Sequence, residues 1–402
     1  MARARRIVIS IVLILFSLSA KAQWDFTSSG YVKGLGTFNR LNLDPYPIFI
    51  QNQLPELYED YQIHNRFNFN FYYGSSWHAN VGMRNRLFWG WTARNTPSMI
   101  SDLEEDAGGL MDLSHVWMNS TSAIHTIFDR AWFEYDNTVV RVRLGRQRIN
   151  WGINTIWNPN DLFNQYNFFD FDYEERPGVD AALVQLYTSS LSSIQLAYSP
   201  NIDEPTESVG AAMYKINVFQ YDFQLLAGYF KRDLSPGLGW AGSIGNMGFK
   251  GEAQWFIPWI EDDMGDLTEP NTVVSVGLDY SLINGLFMQG GYLYNQAGSN
   301  ESSIVGSGIL SSQTLSAKNI FPYKNTAFIG FSYPITPLLT VDLTTISSTD
   351  LVNVFLVPSL SYSLHTNLDI LLLGQVFWGD VPLTNQNDFL GSSYFLRLKY
   401  SF

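Results

Sequence analysis

From about residue 25 to the end, apolar and polar positions alternate with a period of two. The clearest case is the last stretch, where Tyr394, Leu396, Leu398, Tyr400 and Phe402 fall on one face and Phe395, Arg397, Lys399 and Ser401 on the other. Successive side chains of a β-strand point to opposite faces, so this period reads as strand and not helix. It predicts strands near 25–38, 60–73, 125–136, 138–149, 180–188, 192–199, 208–219, 221–231, 238–246, 248–258, 271–282, 285–296, 325–334, 337–347, 351–363, 366–378 and 390–402, plus one carrying Val81 to Trp91. The total is 18; the weakly patterned, Gly-rich 232–248 leaves 16 as the alternative count.

The connections follow a pattern of their own. Gly74-Ser75, Asp136-Asn137, Gln220 and Ile283-Asn284 are tight turns, whereas 95–122, 150–178, 200–207, 259–270, 297–323 and 379–389 are long and mostly carry Pro or acidic residues. Alternating short and long connections belong to an antiparallel barrel with tight turns at one rim and loops at the other, and a single-chain membrane barrel needs an even strand number.

The two chain ends decide which solvents the strand faces meet. Arg3, Arg5 and Arg6 precede the apolar run Ile7–Leu18, and Ala20-Lys21-Ala22 fits a small-x-small cleavage site, so 1–22 reads as a signal peptide and 23–402 as one barrel domain. The run is too short for a span of about 20 residues. A C-terminal strand ending on Phe402 resembles the signal read by the outer-membrane assembly machinery. The expected fold class is therefore all-β, a transmembrane antiparallel β-barrel of the bacterial outer membrane, with lipid outside and water inside.

Composition supports this and excludes other classes. Aromatic residues reach 15% while charged residues are held to 15%, a profile that alternating lipid-facing strands produce. Without the signal segment, 20 basic residues stand against 37 acidic ones, a net −17 that speaks against nucleic acid. There is no cysteine for disulfides or thiolate metal sites.

The candidate chemistry lies on the inward face. Ile63, Phe67, Phe69 and Phe71 are placed outward, with His64, Arg66, Asn68 and Asn70 inward; Val81, Met83, Leu87, Trp89 and Trp91 outward, with Asn80, Arg84 and Arg86 inward. Arg130 and Glu134, then Arg141 and Arg143, continue the inward row. An arginine facing lipid near the midplane costs about 2–4 kcal/mol, which forces these groups into the lumen. Guanidinium forks there favour carboxylates or phosphates; the competing reading pairs them with Glu134, Asp129 and loop acids to brace the wall. Glu252, Asp279, Asp342 and Asp369 are expected inward on the other side, giving a transverse field.

Other features carry less. Glu104-Glu105-Asp106, Asp203-Glu204 and Glu261-Asp262-Asp263 lack the spacing of a calcium loop and read as solvated acids, and no metal or cofactor is expected. His64, His78, His115, His125 and His365 are the only neutral-pH bases, no nucleophile elbow is present, and the nearness of His78 to Ser75 and Ser76 falls at a turn, so no catalytic residue is assigned.

One stretch carries a family resemblance. Gly145-Arg146-Gln147, Trp151-Gly152, Asn158-Pro159-x-Asp161 and Arg176-Pro177-Gly178 resemble the signature of alginate-export-type porins and related outer-membrane barrels, over about 40 residues. The resemblance implies a monomeric barrel of about 18 strands passing an anionic saccharide or other small solute. The expected function is passive passage of small polar or anionic solutes, including oligosaccharides, past pore-lining Arg66, Arg84, Arg86, Arg130, Glu134, Arg141 and Arg143. Arg146, Gln147, Trp151, Trp157, Asn158 and Asp161 are expected at the pore mouth, the two tryptophans offering faces to sugar rings, with 95–122 or 150–178 folded in as a constriction. The alternative is a non-conducting barrel whose loops, the Ser-rich 299–316 among them, bind envelope polysaccharide or a partner protein.

Overall fold

The computed structural model describes residues 24–44, 54–96, 98–101, 103, 110–164, 176, 178–261, 265, 267–299, 316–381 and 386–402. The signal segment, Glu104-Glu105-Asp106, Asp262-Asp263 and most of the Ser-rich loop lie outside these residues.

Strands account for most of them. The first half holds Trp24–Leu41 (β1), Leu57–Tyr73 (β2), Trp77–Gly90 (β3), Ser114–Met118 (β4), Ser122–Asp136 (β5), Val140–Gln147 (β6), Val179–Ser189 (β7), Ser192–Ser199 (β8), Val209–Val218 (β9) and Tyr221–Phe230 (β10). The second holds Asp233–Leu234 (β11), Gly237–Ile244 (β12), Met247–Pro258 (β13), Asn271–Ser281 (β14), Phe287–Asn295 (β15), Asn325–Thr336 (β16), Leu339–Ser348 (β17), Val354–His365 (β18), Leu368–Val381 (β19) and Gln386–Ser401 (β20). Each pairs antiparallel with its neighbour, and β1 closes on β20 from Tyr31↔Ser401 to Leu41↔Gly391.

The closed wall has 18 staves. β11 and β12 are two pieces of one stave, both lying between β10 and β13, which settles the Gly-rich segment as strand. β4 is no separate stave: it pairs only with the first part of β5, along the edge that β6 takes over further on. Every predicted strand is found. One assignment changes, because Trp91 does not extend β3 but starts a short helix, α1 (Trp91–Asn95), whose Thr92 is held by Asp60 at 2.7 and 2.8 Å. No described helix is long and apolar enough to cross a membrane; the strands do the crossing.

The outer face is a belt of exposed apolar side chains, Leu144, Leu196, Leu225, Leu372 and Leu396 among them. Trp24, Phe26, Tyr73 and Trp77 gather near the rim that holds both ends of the wall, called here the near rim. Only lipid makes such a surface favourable, because this much contiguous apolar area in water would aggregate. The Phe402 backbone pairs with Gly30, and its ring tilts against Phe67 at 5.9 Å.

A register shift in β5 alters the inward set. Gly82 pairs with Arg130 and Met83 with Phe128, leaving Asp129 as the extra residue of a bulge. An added residue flips the alternation. His125, Ile127 and Asp129 are therefore buried before the bulge and Glu134 after it. Simple alternation would have brought in only one of the two sets.

Candidate functional site

After β6 the chain turns into the barrel instead of out of it. Residues 148–164 run along the inner wall from β8 to β16, which makes this the infolded loop; the described part of 95–122 forms α1, a single turn at Ser98–Ser101 (α2) and β4 at the far rim. Its path is fixed by successive contacts. Trp151 Nε1 donates to Gln195 on β8 (2.7 Å), Asn160 Nδ2 to the Leu238 carbonyl on β12 (3.0 Å) and Asn154 Nδ2 to the Ser275 carbonyl on β14 (3.1 Å). Trp157 packs edge-on against Phe328 of β16 and Phe321, both at 5.5 Å.

Glu252 of β13 is the centre of this attachment. It is fully buried; one carboxylate oxygen accepts the N–H groups of Ile153 (2.6 Å) and Asn154 (2.7 Å), and the other accepts that of Asn160 (2.9 Å). A loop stripped of water must find partners for its backbone donors, and a carboxylate with two oxygens satisfies three at once. Glu252 is therefore not part of an acidic lumen wall, as alternation alone implied; the loop covers it. Gly239 makes the approach close enough, since a Cβ there would lie 2.9 Å from both Asn160 Nδ2 and Ile153 Cδ1.

The loop's own sequence shapes it. Gly152 sits where any Cβ would strike the Asn158 side chain at 2.4 Å, so Trp-Gly and Asn-Pro are two halves of one packed turn. Asp161 anchors the return: its carboxylate pairs with Arg176 and accepts weakly from Trp151 N at 3.4 Å. Burial outweighs the pull of Arg176 and raises the Asp161 carboxyl to about 7.

The opposite wall is basic. Register places Lys399, Lys33, His64, Arg86 and His125 side by side across β20, β1, β2, β3 and β5. Arg66 and Arg84 form the neighbouring pair across β2 and β3. Both lysine ammonium groups lie over the Tyr31 ring, at 5.2 and 4.7 Å. His125 accepts from Arg86 (2.8 Å) through Nδ1, which leaves its Nε2–H to donate to Ser114 (2.9 Å), so the ring is held neutral. Towards the near rim, Arg143 pairs with Glu134 (2.5 Å) and stacks 4.2 Å over Trp132, while Arg141 pairs with Asp136 (2.6 Å) and reaches Glu134 at 3.6 Å.

The structure thus brings Arg66, Arg84, Arg86, Arg130, Glu134, Arg141 and Arg143 onto one inner wall. Bracing is visible in it: Arg66 pairs with Asp129, Arg141 and Arg143 with Asp136 and Glu134, and Arg130 donates to the Asp129 and Arg176 carbonyls at 2.6 and 2.8 Å. The mouth residues behave differently from expectation. Trp151 and Trp157 are each 2% exposed, wedged between loop and wall, so neither offers a face to a sugar; their rings are the loop's apolar footing. Asn158 is buried beside Gly152. Arg146 is buried in a two-bond pair with Asp180 (2.8 and 2.9 Å), and both hold the Met111 backbone, while Gln147 donates to the Ala181 carbonyl at 2.9 Å. Arg146 thus ties the Met111 segment to the wall, while Gln147 bonds within the wall, across β6 and β7.

Sequence reading gave no role to Lys33, Lys399, Arg148 or Arg176. Lys33 was hidden because Gly30, Gly34 and Gly36 erase the alternating pattern around it. Arg148 lies one residue past β6, although the predicted strand ran to 149, and it donates to Asn150 at 3.0 Å. Glu204 at the far rim pairs with Arg232, and among the described residues no cluster of three or more acidic or histidine groups is placed to hold a metal ion.

No family model matches the chain, and no curated protein matches it in sequence. Solved structures do match in fold. Acinetobacter baumannii OccAB3 superposes with a TM-score of 0.58 at 12% identity, covering 94% of this chain and 99% of the other. Pseudomonas aeruginosa OccK2 (OpdF), solved in complex with glucuronate, gives 0.57 at 9% identity over 94% and 98%. The outer membrane protein OpdK of Pseudomonas aeruginosa gives 0.56 at 8% identity over 94% and 98%. The expected fold class, a closed 18-stranded barrel of the bacterial outer membrane, is borne out. The likeness, at 12% identity or less, is one of fold, to structures of the Occ and Opd type; the alginate-export type expected from Gly145–Gly178 is not shown by it.

Proposed function

We propose that this protein is a passive outer-membrane channel in which small polar or anionic solutes pass between a basic wall and the infolded loop. The observation that carries the reading is the cross-strand row Lys399–Lys33–His64–Arg86–His125, flanked by Arg66 and Arg84, on the half of the wall away from the infolded loop. Clustered cations in a narrow low-dielectric passage raise the local concentration of anions. Arg141 and Arg143, partly open to the lumen, extend the row towards the near rim, which is the periplasmic one in this reading. Sugar acids and short acidic oligosaccharides are the finer candidates. They are suggested by the resemblance around Gly145–Gly178 and by the glucuronate bound to one structural neighbour. The chain is read as a monomer, surrounded by lipid, delivered by its signal peptide and inserted by machinery that reads the strand ending at Phe402.

Planar-bilayer recording of the purified protein tests this. Stable openings are expected, and Arg141→Ala/Arg143→Ala shifts ion selectivity towards cations because Glu134 and Asp136 lose their partners. A second reading, a barrel without conductance, draws on the burial of Lys33, Arg66, Arg84 and His125. A folded barrel that never conducts would establish it and overturn the channel.

A further inference from the structure

Eight tight turns close the near rim: 74–76, 137–139, 190–191, 219–220, 245–246, 282–286, 337–338 and 366–367. Not one of their 21 residues is charged, in a chain that is 15% charged. Several carry a large apolar side chain at the tip instead, and these are open: Val139 is 62% exposed, Leu191 63%, Phe219 91%, Ile283 109% and Leu338 55%. The turn at 245–246 has no apolar tip, but exposed Ile244 and Met247 flank it. Three turns are wholly polar, Gly74-Ser75-Ser76, Gly245-Asn246 and Thr366-Asn367, and the first and last of these flank the β1–β20 seam.

Tight turns in water select Gly, Asn, Asp and Ser, which tolerate the backbone and hydrate well. Phe219 meets neither condition. It occupies the left-handed region at φ 54°, where bulky side chains are strained, and exposes nearly its whole ring. The lipid-facing columns also run straight into the turns: Tyr333 and Ile335 of β16 lead to Leu338, and Leu278 and Tyr280 of β14 lead to Ile283, all exposed. The apolar outer surface therefore does not stop where strand pairing stops. It continues over the edge of the wall along an arc from Val139 to Leu338.

We propose that this arc of turns is an anchor buried in the periplasmic leaflet, at the boundary between headgroups and acyl chains, and that only the two turns beside the seam stay in water. The occupant is phospholipid, because the arc is continuous with the surface that lipid already covers and has no charge to keep it hydrated. The inference rests on the outer-membrane reading but not on conductance.

The absence of cysteine makes the test direct. Single variants Phe219→Cys, Gln220→Cys, Ile283→Cys and Ser75→Cys carry a nitroxide label in vesicles of phosphatidylethanolamine and phosphatidylglycerol. Heat-modifiable gel mobility confirms the barrel in each, and its absence in unsubstituted protein would mark failure of the barrel reading instead. Labels at 219 and 283 should collide preferentially with oxygen, and the label at 75 with a water-soluble nickel chelate. Nickel accessibility at 219, 220 and 283 equal to that at 75 would overturn the proposal. So would labels at 219 and 283 shielded from both reagents and broadened by dipolar coupling, which would place a second copy on the rim.

Discussion

Replacing Glu252 by Gln isolates what holds the infolded loop. The carboxylate accepts three backbone N–H groups, two on one oxygen and one on the other. The amide keeps one acceptor oxygen and presents an NH2 group to the remaining donor. Hydrogen bonds to a charged group contribute about 1.5–3 kcal/mol each, and a buried donor left unmet costs about 1–3 kcal/mol. Losing one such bond and stranding one N–H weakens the attachment by roughly 3 kcal/mol, which raises the detached population of the loop about a hundredfold. The barrel does not depend on this side chain, since the Glu252 backbone pairs with Gly239 and Ser275 regardless. Single-channel recording of Glu252→Gln should therefore show larger, noisier openings, with the temperature of gel-mobility conversion almost unchanged. Glu252→Ala, which strands all three donors, should go further in the same direction. Conductance and noise matching the unsubstituted protein in both variants would refute the loop as the constriction.

Asp161 gives a pH dependence. Its carboxyl, raised from 3.8 to about 7 by burial, is protonated in the folded protein but not the unfolded chain between these values, so this group's contribution to stability is fully present below about pH 4 and is lost as pH rises through about 7. Protonation also removes the negative partner of Arg176, so anion selectivity in bilayers should increase from pH 8 to pH 6, and Asp161→Asn should abolish that change. Arg146→Ala leaves Asp180 buried and unpaired, a loss of about 3–5 kcal/mol that should lower the conversion temperature; Arg146→Met/Asp180→Leu should recover much of it. Gly239→Leu overpacks the contact with Asn160 and Ile153 by about 1–3 kcal/mol, and should reproduce the noise of Glu252→Gln without changing charge.

The barrel was legible in the sequence because its governing signal is local. Each stave spans two solvents, so alternation at Tyr394–Phe402 or Val140–Leu144 reports inside and outside without knowledge of any neighbour. Turn residues such as Gly74 and Asn137 marked the ends, and the inward arginines of β2, β3 and β6 followed from the same parity. What the pattern could not carry was anything set by contacts between distant segments. The Asp129 bulge admits both His125 and Glu134 to the inner wall, yet no residue near it announces an insertion. Trp151 and Trp157 read as open sugar platforms because a buried and an exposed tryptophan look alike in sequence, and only Gln195 and Phe328, far along the chain, close them off. Glu252 read as one more lumen acid by parity. The fold made it a fastener, because a loop taken out of water must satisfy its backbone donors, and the carboxylate that meets three of them lies some ninety residues away on the wall the loop covers.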